Sequence, residues 1–503
     1  MARNILLIPR LGKSVQLAFG QRVCSFCHQN HCSTLPLKRA VSTSPVFFKE
    51  LYTQTTSFQR AHDIAEEKGV GDLEAGSVSP WTQPDAWEQA FVRPEPQLDW
   101  TFLCHPDNRE KIRANIASRK GVGLGDIDKV VQLWNQHQTA KTAMEKQSLW
   151  QELLAEAVQI PNTSHPAAPV GDESQAHVVE IQGDRREFDF TPQTVVELGE
   201  ALQLLRTDYL AMATGPRTYY FLGDLARLEQ ALVNFTVHYL RQKGFHLISV
   251  PDLLHPDVIE SCGFSTQGNR TQVYKLSPEK HGPVCLAGTA EMSLGGFFAN
   301  QTLDASDLPI KVAAVSRCYR AETSDIAEEK GIYRVHQFTK VEMFGVTSRD
   351  ESGKLLQELL DIERHLFLSL GLHFRILDMP TEELGAPAHR KFDIETWMPG
   401  KGFWGEISSA SDCTDFQSRR LNIQYCDSAG NLQFAHTVNG TACAVPRMIM
   451  ALMENNQQKD VSVPIPQALH PWMGSTTVLR PPSCKPLLIK PQDKIKRKDN
   501  KKT

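Results

Sequence analysis

The stretch Val312–Phe344, VAAVSRCYRAETSDIAEEKGIYRVHQFTKVEMF, decides how the rest of the chain is read. Its alternation predicts two strands joined by a charged loop. Residues two apart on a strand share a face. Cys318, Arg320 and Glu322 therefore point one way on the first strand. On the second, Arg334, His336, Phe338, Lys340 and Glu342 share a face. Tyr333, Val335, Val341 and Met343 take the other, which is expected to pack on a core. One surface thus gathers cations, an aromatic ring and a carboxylate, a more particular set than a solvated sheet needs.

Arg320-Ala321-Glu322, the loop, and then Arg334-Val335-His336-Gln337-Phe338 resemble motif 2 of the class II aminoacyl-tRNA synthetases. The form with RVHQF followed by Lys340 and Glu342 resembles the seryl-tRNA synthetases. The chemistry of such enzymes fits these residue types. Attack of an amino-acid carboxylate on the α-phosphate of ATP builds negative charge at phosphorus, which a planar guanidinium meets. The resemblance implies Arg320 on that phosphate, Phe338 against the adenine and Glu342 on the substrate serine. It also puts Ala321, Glu322, Arg334 and Val335 in the ATP site, and gives Arg320 a share in serine binding.

At 503 residues the chain is long enough for about three domains. With 41% apolar and 22% charged residues it has the make-up of an ordinary globular protein. No uncharged apolar run reaches about 18 residues, so no membrane partner is expected. Eleven scattered cysteines suggest thiols in a reducing compartment.

Residues 1–49 carry seven cations and no Asp or Glu, with apolar residues from Ile5 to Val15 alternating among them. That is the make-up of a mitochondrial presequence. Seven of the 54 basic residues lie there, so without it 47 basic face 58 acidic residues, about −11. Bulk charge then gives no help in holding nucleic acid, and RNA contacts must come from local patches. Cys24-Ser25-Phe26-Cys27-His28, with His31 and Cys32, matches haem-attachment and zinc patterns. Inside a segment expected to be removed it reads as chance clustering.

Residues 50–97 read as a linker. From Leu98 a small helical region is expected, to residue 160. Asn108–Lys120 predicts a basic helix, followed by a break at Gly121–Gly125. Ile127–Val158 carries helical apolar spacing at Ile127, Val130, Val131, Trp134, Met144, Leu149, Leu153, Leu154 and Val158. This resembles the family's N-terminal tRNA-binding arm, closed by Ile160-Pro161-Asn162, His165-Pro166 and Pro169-Val170-Gly171. Yet each helix can have only about four turns, roughly 20 Å, far shorter than a family arm. Lys111, Arg113, Arg119 and Lys120 are therefore expected to carry much of the phosphate contact.

Residues 161–210 read as a connector, 211–475 as the catalytic domain and 476–503 as a basic tail. Arg217–Lys243 holds Leu225, Leu228, Leu232, Phe235 and Tyr239 on one helical face, stopped by Gly244 before a strand at Phe245–Val250. It resembles motif 1, which implies a homodimer. Leu286-Ala287-Gly288-Thr289-Ala290-Glu291 resembles the TxE loop, which implies Thr289, Ala290 and Glu291 around the serine ammonium. Glu406-Ile407-Ser408-Ser409 resembles the lining of the ATP pocket, with Glu406 and Ser409 assigned to Mg²⁺ as hard oxygen donors. Asn439-Gly440-Thr441 through Pro446-Arg447 resembles motif 3, with Asn439 and Thr441 in the serine pocket. Arg447 is placed on phosphate at the start of a helix over Met448–Asn456. A proline where the family usually has glycine is compatible with a first helical turn.

The resemblance covers residues 98–475. It implies an α+β fold: an antiparallel sheet flanked by helices, with a short helical arm. The expected activity is serine activation by ATP and Mg²⁺ and transfer to tRNA(Ser) in the mitochondrial matrix, with Arg320 and Arg447 as the catalytic pair. A paralogue turned into a binding module would be expected to have lost one of those arginines, and both are present.

Overall fold

The computed structural model describes residues 93–119, 125–207, 214–268, 271–277, 282–322 and 331–481. The expected presequence, its Cys24–Cys32 cluster, most of the linker, the break at 120–124 and the tail beyond 481 lie outside them.

Eight strands form the central sheet. In chain order they are β1 (His177–Gln182), β2 (His246–Ile248), β3 (Ile310–Tyr319), β4 (Gln337–Thr347), β5 (Phe374–Asp378), β6 (Arg390–Met398), β7 (Phe403–Thr414) and β8 (His436–Ala444). Across the sheet they run β1-β5-β6-β7-β8-β4-β3-β2. Every neighbouring pair is antiparallel except β2 and β3. The expected α+β class and antiparallel-dominated sheet are what is found.

The β3/β4 hairpin shows why it sits mid-sheet. Val312 faces Phe344, Ala313 faces Met343 and Ala314 faces Glu342 across the ladder. Ala313, Val341 and Met343 join one hydrophobic core, and Val312, Ala314, Phe344 and Val346 join a second on the other face. Both faces are covered, so the near-continuous apolar run is a requirement of position.

Helices close the two faces. On the first lie α5 (Gly223–Gln242), α7 (Ser352–Ser369) and α9 (Val445–Asn456); on the second lies α6 (Ala290–Phe298). Leu225, Leu228, Leu232 and Leu240 of α5 are all buried in the first core. Each contributes roughly 1.5–3 kcal/mol of transfer free energy. The earlier expected start of α5, at Arg217, fails because Tyr220–Phe221 pairs with Leu205–Arg206 as a small ribbon. Gly244 ends the helix at φ 85°, as its lack of a Cβ allows.

The connector is less separate than the sequence suggests. His177–Gln182 is the outer strand of the main sheet. Val195–Leu202 forms helix α4, whose Thr194 and Glu197 make a reciprocal capping box and whose Leu198 and Leu202 enter the first core.

The hairpin ladder is also shorter than expected. Arg320 N donates to His336 O at 3.0 Å as a last rung. Ala321 N then turns to Gln272 O, and Glu322 takes φ 44°, a conformation no strand contains. Arg320, Glu322, Arg334 and His336 therefore stand at the sheet's rim.

The arm comprises α1 (Arg109–Ala117), α2 (Ile127–Thr139) and α3 (Ala143–Ala157), around Leu98, Leu103, Ile112, Ile127, Val130, Leu133 and Leu153. With 13 and 15 residues, α2 and α3 span about 20 Å each, as expected. Its basic helix differs from the sequence reading. Arg119 is fully buried and donates to Gly385 O at 2.8 Å and to Ser164 Oγ, and burial pulls its guanidinium down to about 10. Arg113 pairs with Asp128 at 2.7 Å. These two cations hold the arm together and against its neighbour; Lys111 is exposed, and Lys120 lies outside the described residues.

Candidate active site

The rim of the hairpin, strand β7 and the start of α9 enclose a cleft of about 540 Å³. Its walls include Arg320, Glu322, Arg334, Val335, Phe338, Lys340, Glu406, Ile407, Ser408, Ser409, Thr441 and Arg447. Eleven of these carry an expected ligand role; Lys340 does not. Ala321, Thr289, Ala290, Glu291, Glu342 and Asn439 lie elsewhere.

Arg447 occupies the first turn of α9, beside Pro446. Its guanidinium lies over the Tyr333 ring at 4.3 Å. Nε donates to Tyr333 O at 3.1 Å, and Nη1 donates to the carbonyl and carboxylate of Glu406, each at 3.0 Å. Tyr333 OH in turn accepts from Glu406 N at 2.9 Å. Tyr333 packs against the first core, as strand parity predicts, while its hydroxyl and ring also reach the cleft. Burial opposes ionisation of Glu406, but Arg447 and Lys391 hold its carboxyl down at about 2.

On a regular strand, positions 406 and 409 face opposite ways. Here the β6/β7 register slips: Ile394 pairs with Ser408 and Glu395 with Glu406, so Ile407 is an extra residue. The bulge brings Glu406, Ile407, Ser408 and Ser409 all to the cleft. An ionised carboxylate and a hydroxyl fit Mg²⁺, which takes few protein oxygens and completes its shell with phosphate and water. Among the described residues no group of three or more His, Cys, Asp or Glu is placed to hold a metal alone.

Opposite, Arg320 lies over the Phe338 ring at 5.3 Å, and its Nε donates to Gly288 O at 3.3 Å. Arg334 approaches Glu322 at 3.8 Å. Tyr274 OH and Arg320 O both meet His336 Nδ1, at 2.8 and 3.1 Å, fixing the rim below the cations.

Behind this wall is a second, buried cluster. Thr289 caps α6, accepting from Glu291 N and donating to Glu342 Oε2 at 3.1 Å. Glu342 forms an ion pair with Lys340, whose Nζ also lies 3.5 Å from Thr441 Oγ1. Glu291 Oε1 accepts from Asn439 Nδ2 at 2.8 Å and from Gln417 Nε2 at 2.7 Å. Burial first, and then the Glu342 charge, push Glu291 up to about 7. The buried methyl of Ala290 instead packs in the second core, and Ala321 contributes only its rim backbone.

Gln417 carries a role that no pattern exposed. It lies on α8 (Phe416–Leu421), is fully buried, and accepts from Thr437 Oγ1 at 2.7 Å while donating to Glu291. Its sequence neighbours, Thr414-Asp415-Phe416 before it and Ser418-Arg419-Arg420 after it, are mostly polar and give no sign of its burial. Gly440 is held by close approach, since a Cβ there would come within 2.8 Å of Glu363 Oε1.

Comparison with known proteins bears on what this geometry belongs to. Residues 274–456 match the tRNA synthetase class II core domain (G, H, P, S and T). The serine–tRNA ligase of Treponema denticola is 37% identical over 423 residues, covering 75% of this chain and 99% of that protein. The chain belongs to the serine–tRNA ligase family. Another member, the mouse mitochondrial serine–tRNA ligase, is 50% identical over 335 residues, 66% of this chain and 65% of the mouse protein, so the match spans less than two thirds of that relative. Among solved members, the seryl-tRNA synthetase from Pyrococcus horikoshii, complexed with ATP, superposes with a TM-score of 0.65 at 32% identity, covering 75% of this chain and 89% of that one.

Proposed function

We propose that the chain is a serine–tRNA ligase of the mitochondrial matrix, working as a homodimer on L-serine, ATP and tRNA(Ser). The observation that carries the reading is the cationic cleft backed directly by a buried carboxylate pocket. In the cleft, Arg320 and Arg447 meet the phosphates of ATP and Phe338 meets the adenine, with Glu322, Arg334, Val335, Ile407 and Ser408 completing the walls. Glu406 and Ser409 hold Mg²⁺, which when bound neutralises phosphate charge. In the pocket, Glu342, Glu291 and Thr289 take the serine ammonium, and Asn439 and Thr441 its remaining polar groups.

The serine carboxylate attacks the α-phosphate, giving seryl-adenylate and pyrophosphate. The terminal ribose hydroxyl of the tRNA then attacks the seryl carbonyl and AMP leaves. Positioning and charge stabilisation do most of this work. The mouse protein's name and the acid-free first 49 residues support the compartment. Helix α5 and the exposed edge at β2, with Leu247 51% exposed, support a dimer through that face. Among the described residues no helix is long and apolar enough to cross a membrane.

The test is aminoacylation. Labelled serine should become acid-precipitable on mitochondrial tRNA, dependent on ATP and Mg²⁺; no charging with a folded protein would sink the proposal.

A further inference from the structure

Lys340 is the charged wall residue with no ligand role assigned from the sequence. It lines the cleft, as does Thr441, whereas Glu342, Glu291, Thr289 and Asn439 do not. A substrate ammonium that reaches Glu342 from the cleft must therefore pass Lys340. That side chain is only 8% exposed and Glu342 only 2%, and they form an ion pair beside Thr441. The lysine thus gives Glu342 the charge partner that a substrate ammonium would give it. Leaving such a buried carboxylate unpaired is costly, so one ammonium has to arrive as the other departs. Lysine suits an exchange of this kind: a compact charge on a four-carbon stem, with no fixed fork geometry.

We infer that Lys340 is a positioning residue that pairs with Glu342 and is displaced into the nucleotide cleft when serine binds. This rests on the serine reading above. Once displaced, the ammonium faces the cleft, where Glu322 and Glu406 stand among Arg320 and Arg447 around the space assigned to the phosphates. Serine binding then adds a cation to the nucleotide wall, and each substrate strengthens the binding of the other. Linkage makes that effect reciprocal.

The test is a binding cycle on the full chain at about pH 8. Serine affinity is titrated with and without saturating non-hydrolysable ATP analogue and Mg²⁺. The wild type should bind serine at least about fivefold more tightly with the analogue present, within the usual range of coupling. Lys340→Met should lose that ratio, bringing it close to one; Lys340→Gln, polar and uncharged, should do the same if the methionine variant does not fold. A lysine that merely supports the pocket would weaken serine binding equally with and without analogue and leave the ratio intact, which overturns the inference. Serine binding by the wild type without coupling overturns it alone. A wild type that binds no serine overturns the serine reading and this inference together.

Discussion

The cleft wall and the pocket behind it use opposite charges in opposite settings. On the wall, Arg447 and Arg334 are 14% and 33% exposed, with Glu406 and Glu322 beside them. In the pocket, Glu291 and Glu342 are 7% and 2% exposed, Glu342 paired with Lys340 and Glu291 held by the amides of Asn439 and Gln417. The wall's cations stay charged whatever happens around them, which suits charge that develops only during reaction. In the pocket, burial and the Glu342 charge tune Glu291, which suits selection of a substrate by its own charge. Each region therefore has its own kinetic signature, with Lys340 as the link between them.

The largest effect should come from the wall. Arg447→Ala and Arg320→Ala should each cut serine-dependent pyrophosphate exchange by at least about a hundredfold, the scale for losing one transition-state charge partner. Near-normal exchange in either variant would remove it from the phosphate clamp. The pocket comes next. Glu342→Gln keeps shape but loses charge, so the serine KM should rise about tenfold or more, with the ATP KM moving by no more than the roughly fivefold coupling through Lys340. Movement of the ATP KM instead would transfer Glu342 to the nucleotide site.

A smaller effect distinguishes the regions by pH. Glu291 titrates near 7 and only its ionised form pairs with an ammonium. The serine KM should therefore fall severalfold as pH rises from about 6 to about 8, then level off. Glu406, held at about 2, stays ionised throughout, so the ATP KM should be flat. A serine KM equally flat would mean Glu291 does not meet the substrate's charge. The smallest effect lies in the arm. Lys111→Gln should lower the salt slope of tRNA binding by about one counterion and leave pyrophosphate exchange unchanged, because a phosphate contact positions RNA without touching the cleft. An unchanged slope would take Lys111 off the RNA.

How much of this was legible in the sequence follows the physics of each region. Alternation in β4 placed Val341 and Met343 on one core, because regular backbone fixes side-chain direction. Tyr333 packs on the same core, but parity did not report that its hydroxyl also accepts from Glu406 N. The bulge at Ile407 was invisible for a related reason: register is a property of two strands, and one sequence shows only one. Arg119 read as a free cation because a buried, backbone-capped arginine and an exposed one look alike in a helix. Gln417 acts through Glu291, 126 residues away, which no local pattern reports; Lys340 and Glu342 stood on one face in the sequence, but burial of their ion pair depends on the elements packed around them.

The most direct measurement is ATP–pyrophosphate exchange with each of the twenty amino acids in turn, without tRNA. Exchange should be strong with serine and near background with the other nineteen, because the buried carboxylates and the small polar pocket act before any RNA binds. Exchange driven by another amino acid, or by none while the protein is folded and binds ATP, would contradict the assignment of that pocket to serine.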